Sequence, residues 1–112
     1  MEKPVIIKFD EDAYKEYQEL KTAVLEGKKS KKKPTYDQLL NSIDNAIKNI
    51  KINYKYGDLI PRKYISNAVI EKYGTDRIFR VGLVGYWRLL YTVIGDEAMI
   101  IAFILEYMRH DK

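Results

Sequence analysis

Between Arg77 and His110 the chain reads RIFRVGLVGYWRLLYTVIGDEAMIIAFILEYMRH. Three runs rich in β-branched and aromatic residues are separated by two glycine-bearing turns, the pattern of an antiparallel meander. The runs predict strands at about 77–83, 86–94 and 98–108. Arginines interrupt these apolar runs at Arg80, Arg88 and Arg109. A buried, unpaired guanidinium is costly. These side chains therefore reach a rim, pair with carboxylates, or line a surface that binds an anion.

Alternation along a strand sorts the side chains into two faces. In the middle strand Arg88, Leu90, Thr92 and Ile94 share one face, and Trp87, Leu89, Tyr91 and Val93 the other. A two-residue turn at Gly95-Asp96 pairs Arg88 with Phe103; one at Asp96-Glu97 pairs it with Leu105. Both put Arg88 on a face with Ile101, Phe103, Leu105, Tyr107 and Arg109. Arg109 then lies about 13–20 Å along the sheet from Arg88 if no bulge intervenes. Arg80 depends on register: a two-residue turn at Val84-Gly85 pairs it with Leu89, on the Trp87 face, and a three-residue loop pairs it with Arg88. Simple alternation puts Glu106 and His110 on the Trp87 face. His110 is the only histidine and titrates nearest neutrality.

Upstream, 3–9 (KPVIIKF) reads as a short strand with Pro4 at its start. Asp10 follows as a helix N-cap, with Phe9 and Tyr14 at hydrophobic-staple positions. Ala13, Tyr14, Tyr17, Leu20, Val24 and Leu25 make an apolar stripe, and Gly27 ends the helix. The run KKSKKK at 28–33 reads either as a solvated connector or as a phosphate-contacting loop. A second helix starts at Thr35, where Gln38 completes a capping box. It carries the stripe Tyr36, Leu39, Leu40, Ile43, Ala46, Ile47 and Ile50. The segment 51–63 is irregular, with a turn at Gly57-Asp58 and a break at Pro61. Ser66 and Gly74 bracket a short helix. Lys48, Lys51, Lys55, Arg62 and Lys63 form a second basic cluster. The expected architecture is one α+β domain over 1–112: an N-terminal strand, a helical hairpin, then a three-stranded antiparallel meander forming one sheet.

The chain has 112 residues, a net charge of +4 and no cysteine. The length suits a single core. Disulfides and thiolate metal sites are excluded, and a reducing, cytoplasmic setting is expected. The N-terminal apolar run is too short for a signal peptide, and no membrane span is expected. A basic balance favours anionic partners. The ten tyrosines read first as core and interface residues and second as base-stacking groups.

Three features together resemble the RelE/ParE superfamily of toxins from type II toxin–antitoxin systems, with archaeal RelE-like members the most similar in pattern. They are VIIKFDEDAYKEYQEL at 5–20, GYWRLLYTVIGDEAMIIAFILEYMRH at 85–110, and the order strand, helix pair, meander. The resemblance covers nearly the whole chain. It implies a ribosome-dependent mRNA endoribonuclease in which the 2′-hydroxyl attacks the adjacent phosphate, so that neither metal nor cofactor is required. By position it implies that Arg88 and Arg109 contact the scissile phosphate, that Arg80 assists, and that His110 is an acid/base candidate. Lys48, Lys51, Lys55, Arg62 and Lys63 would contact ribosomal RNA. The implied partners are a cognate antitoxin, the ribosome and mRNA, with no membrane. The ParE branch shares the fold but inhibits DNA gyrase, so a non-catalytic binding protein, either gyrase-directed or antitoxin-binding only, is the alternative.

Overall fold

Residues 5–105 are described by the structure, a computed structural model. The first strand, β1 (Ile6–Phe9), runs straight into helix α1 (Glu11–Leu25). Asp10 occupies the N-cap with extended backbone, and the acidic residues Glu11 and Asp12 sit in the first turn, where the helix dipole favours them. Phe9 packs edge-on against Tyr14 at 5.8 Å, the expected staple, and also stacks on Tyr17 at 5.1 Å. Helix α2 (Tyr36–Ile52) starts with the full capping box: Gln38 N donates to Thr35 Oγ1 and Thr35 N donates to Gln38 Oε1. Both helices lie on one face of the sheet. Tyr17 on α1 donates to Asp44 on α2 at 2.6 Å, which ties the hairpin together.

The sheet has five strands in the order β1-β5-β4-β3-β2. Strands β3 (Phe79–Gly82), β4 (Trp87–Ile94) and β5 (Glu97–Leu105) follow one another antiparallel. Two strands extend this set, so the sheet is mixed and larger than the expected meander. β1 adds in parallel to β5, from Ile6 opposite Glu97 to Phe9 opposite Ile100. β2 (Asp58–Leu59) adds antiparallel to β3, at what the sequence presents as a turn. Gly57 makes this approach possible. A Cβ there would lie 3.0 Å from Arg80 O, Tyr91 Cε1 and Val81 Cγ2. The Tyr91 hydroxyl completes the junction, donating to Tyr54 O at 2.7 Å and accepting from Gly57 N at 2.9 Å.

The core forms between the helices and one sheet face. Ile43, Ala46 and Ile50 of α2 and Ala13 of α1 meet Phe79, Val81, Leu89, Tyr91, Ala98 and Ile100. Burying these side chains, at about 25 cal/mol per Å² of apolar surface, is the main favourable term. Two members of the expected α1 stripe face outward instead: Tyr14 is 51% exposed and Leu25 84%.

The opposite sheet face is partly covered by the segment after β2. A short 3-10 turn (Arg62–Tyr64) leads into helix α3 (Asn67–Tyr73), capped by the Ser66 hydroxyl and ended by Gly74 at φ 69°. Ile65, Ile78 and Thr92 are buried on this side, and Thr92 Oγ1 donates to Arg77 O at 2.8 Å.

Candidate anion-binding face

The hairpins determine where the arginines sit. Ile94 pairs with Glu97 across the two-residue turn Gly95-Asp96, with Gly95 at φ 64°. Carried on without interruption, this register would pair Arg88 with Phe103. A bulge intervenes: Leu90 faces Ala102 while Tyr91 faces Ile100, leaving Ile101 as the extra residue. Arg88 therefore pairs with Ile104. Phe103 moves to the helix face, where it packs against the core. The expected grouping of Arg88 with Phe103 and Leu105 is thus corrected. The bulge shifts every later β5 residue by one and so exchanges their faces.

The other hairpin uses a three-residue connection, Val84-Gly85-Tyr86, with Leu83 N donating to Trp87 O at 2.9 Å. Arg80 pairs with Leu90 and Gly82 with Arg88. Arg80 and Arg88 therefore share a face, the one away from α1 and α2. They are diagonal neighbours, about 7–8 Å apart by ordinary sheet spacing. Leu90, Ala102 and Ile104 complete the floor between and beside them. Each arginine is half-buried.

Local contacts shape both guanidinium groups. Arg88 Nη1 donates to Trp87 O at 2.8 Å. It also lies over Gly82, where an added Cβ would be 4.0 Å from Nη1. Glycine opposite Arg88 thus leaves open space beside the guanidinium. Arg80 stands opposite Asp58 of β2, an opposite-charge cross-strand neighbour that the sequence did not place. The local signal for it is Gly57, the residue that lets β2 close in.

Arg109, His110, Glu106 and Tyr107 lie outside the described residues. Of the second basic cluster, Lys48 and Lys51 are exposed on the last turns of α2. Lys55 and Lys63 sit over the neighbouring rings of Tyr54 and Tyr64, at 5.6 and 5.2 Å. Arg62 is paired with Asp76 at 3.8 Å and donates to Asn67 Oδ1 at 3.3 Å. The cluster is therefore divided between the end of α2 and the 3-10 turn, and Arg62 already has a carboxylate.

Three tyrosines are held in their neutral form. Burial, then the bond to Asp44, pushes Tyr17 up to about 12. Burial also raises Tyr91, with Asp58 adding to the effect. Tyr73 on α3 is raised by burial and by its hydrogen bond to Asp10, whose carboxylate also pairs with Lys72 at 3.4 Å. Asp10 thus joins α3 to the β1–α1 junction in place of bonding its own helix amides. Among the described residues no group of three or more His, Asp or Glu could hold a metal ion. No described helix is long and apolar enough to cross a membrane. No protein-family profile, curated protein or solved structure matches the chain.

Proposed function

We propose that the chain is a RelE-like toxin that cleaves mRNA on the ribosome. The observation that carries this reading is the pair Arg80 and Arg88. They sit diagonally on the sheet face away from the helical hairpin, with Gly82 leaving space for a planar guanidinium. A diagonal pair of cations suits a phosphodiester laid across β3 and β4. Guanidinium groups bind phosphate oxygens through directed, charge-assisted hydrogen bonds.

In the proposed reaction the ribose 2′-oxygen attacks the adjacent phosphorus. The bond to the 5′-oxygen breaks, leaving a 2′,3′-cyclic phosphate and a 5′-hydroxyl end. Charge on the non-bridging oxygens rises in the transition state, and Arg88 with Arg80 offsets it. One base takes the 2′-hydroxyl proton and one acid gives a proton to the leaving 5′-oxygen. Arg109 as a second clamp and His110 as the proton-transfer group complete the reading. Both assignments rest on the sequence resemblance. A cognate antitoxin, the ribosome and mRNA are the proposed partners.

The non-catalytic reading has its own support. Arg88 Nη1 already bonds Trp87 O, and Arg80 faces Asp58, so each guanidinium has a role in the sheet without substrate. Inducible expression with primer extension on translated mRNA separates the two readings. Cuts at codon-linked positions, reduced about 10²–10³-fold by Arg88→Ala, are the expected result. A folded Arg88→Ala chain that still arrests growth would remove the catalytic reading, and loss of gyrase supercoiling in its presence would establish the alternative.

A further inference from the structure

A second site lies on the helix side of the same sheet end. Here the lysine run 28–33 meets the β3–β4 hairpin. The loop is built rather than loose: Ser30 Oγ donates to Lys32 O at 2.8 Å and accepts from Lys32 N at 3.3 Å. Pro34 packs against the hairpin so closely that a Cβ on Gly85 would come within 3.1 Å of its Cδ. Val84 N donates to Ser42 Oγ of α2 at 3.3 Å, fixing the hairpin from its other side. Between loop and hairpin is a cleft of about 540 Å³, lined by Lys32, Lys33, Tyr36, Tyr86, Trp87 and Leu105 among others. Tyr86 is 43% exposed and Leu105 44%.

We propose that this cleft binds single-stranded RNA, with bases against the aromatic rings and the backbone phosphates held by Lys32 and Lys33. Three aromatic rings and an exposed leucine give an apolar floor for bases. Two lysines from a run of five supply the complementary charge at its rim. Aromatic stacking beside a cationic track is how single strands are held without base-specific contacts. The cleft opens on the Trp87 face, whereas Arg80 and Arg88 occupy the other, so this inference does not depend on the cleavage reading.

Trp87 is the only tryptophan in the chain, so its fluorescence reports on this cleft directly. The test titrates the full chain with a single-stranded RNA of about ten nucleotides at several salt concentrations. Saturable quenching is expected, weakened at least about tenfold by the exposed pair Lys32→Glu and Lys33→Glu, with a shallower salt dependence. The circular dichroism spectrum should not change. Lys15→Glu, an exposed α1 lysine that does not line the cleft, should leave the quenching in place. An inorganic polyphosphate of equal charge should bind without quenching.

Several results would overturn the proposal. One is no RNA response in the folded chain. Another is quenching lost in Arg88→Ala but kept in the lysine pair, which would trace the signal to the opposite face. A third is quenching by an acidic helical peptide and not by RNA, which would make the cleft a protein-docking site. A chain that quenches but never cuts keeps this inference and removes the ribonuclease reading. A chain that cuts with no Trp87 response does the reverse.

Discussion

Arg88 lies across Gly82. The two residues are direct partners in the β3–β4 ladder, and the guanidinium Nη1 is 4.0 Å from where a side chain on residue 82 would begin. A methyl there would meet the guanidinium at ordinary contact distance, whereas a longer side chain would reach into its place. Gly82 is at once a weak point in the strand, since glycine packs no side chain there, and the position that sets the room beside the guanidinium.

A graded series at this position follows. Gly82→Ala adds one methyl at ordinary contact distance and should preserve both fold and activity. Gly82→Leu should displace the guanidinium and lower any Arg88-dependent cleavage by about tenfold or more, since small misplacements of a charge-stabilising group are expensive. Cleavage rates compared with thermal midpoints would check this. Equal activity in both variants would show that Arg88's resting position does not matter.

Tyr91→Phe should destabilise the fold by about 1–3 kcal/mol, because it leaves Tyr54 O and Gly57 N without their buried partner. Both bonds converge on one hydroxyl, and the ring itself is fully buried against Phe79 at 4.9 Å. Urea unfolding of the two chains measures the difference.

Gly57→Ala should cost about 1–3 kcal/mol by overpacking, an amount coupled to that of Tyr91→Phe because residue 57 touches Tyr91. Two of the three atoms crowding the new methyl cannot easily retreat: Arg80 O belongs to the sheet backbone, and Tyr91 Cε1 to a buried ring. Because β2 is only two residues long, hydrogen exchange should show loss of protection first at Asp58 and Leu59. A fully stable Gly57→Ala chain would mean that β2 shifts without cost.

Tyr17 contributes a pH-dependent term. Its folded-state value is raised from 10.0 to about 12. Folding therefore favours the protonated hydroxyl, and the stabilisation is complete below about pH 10 and lost as pH rises towards 12. Wild type should lose stability more steeply than Tyr17→Phe across that window. Near neutrality the substitution should cost about 0.5–1.5 kcal/mol, the size of one partly exposed hydrogen bond. Chemical unfolding midpoints at pH 8 and above pH 10, taken as the difference between the two chains, report it.

Local signals proved legible because they are decided within a few residues. The Thr35–Gln38 box, the Phe9–Tyr14 staple and the Ser66 and Gly74 helix limits all depend on neighbours a few positions apart. Strand β2 was not legible, since two residues carry no periodicity and Gly57 reads equally as a turn. The lysine run shows the same limit. Its charge is evident from composition, but its anchoring against Gly85 is a contact between distant parts of the chain.

The sequence by itself determined the helices, their caps, the alternating faces of β4 and the α+β class, because propensity, capping and periodicity act locally. Only the tertiary structure decided the face of Arg80 and the β5 partners of Arg88. The bulge at Ile101 and the three-residue loop after Leu83 each shift register by one. In a strand of period two, one residue is enough to exchange an outward face for a core.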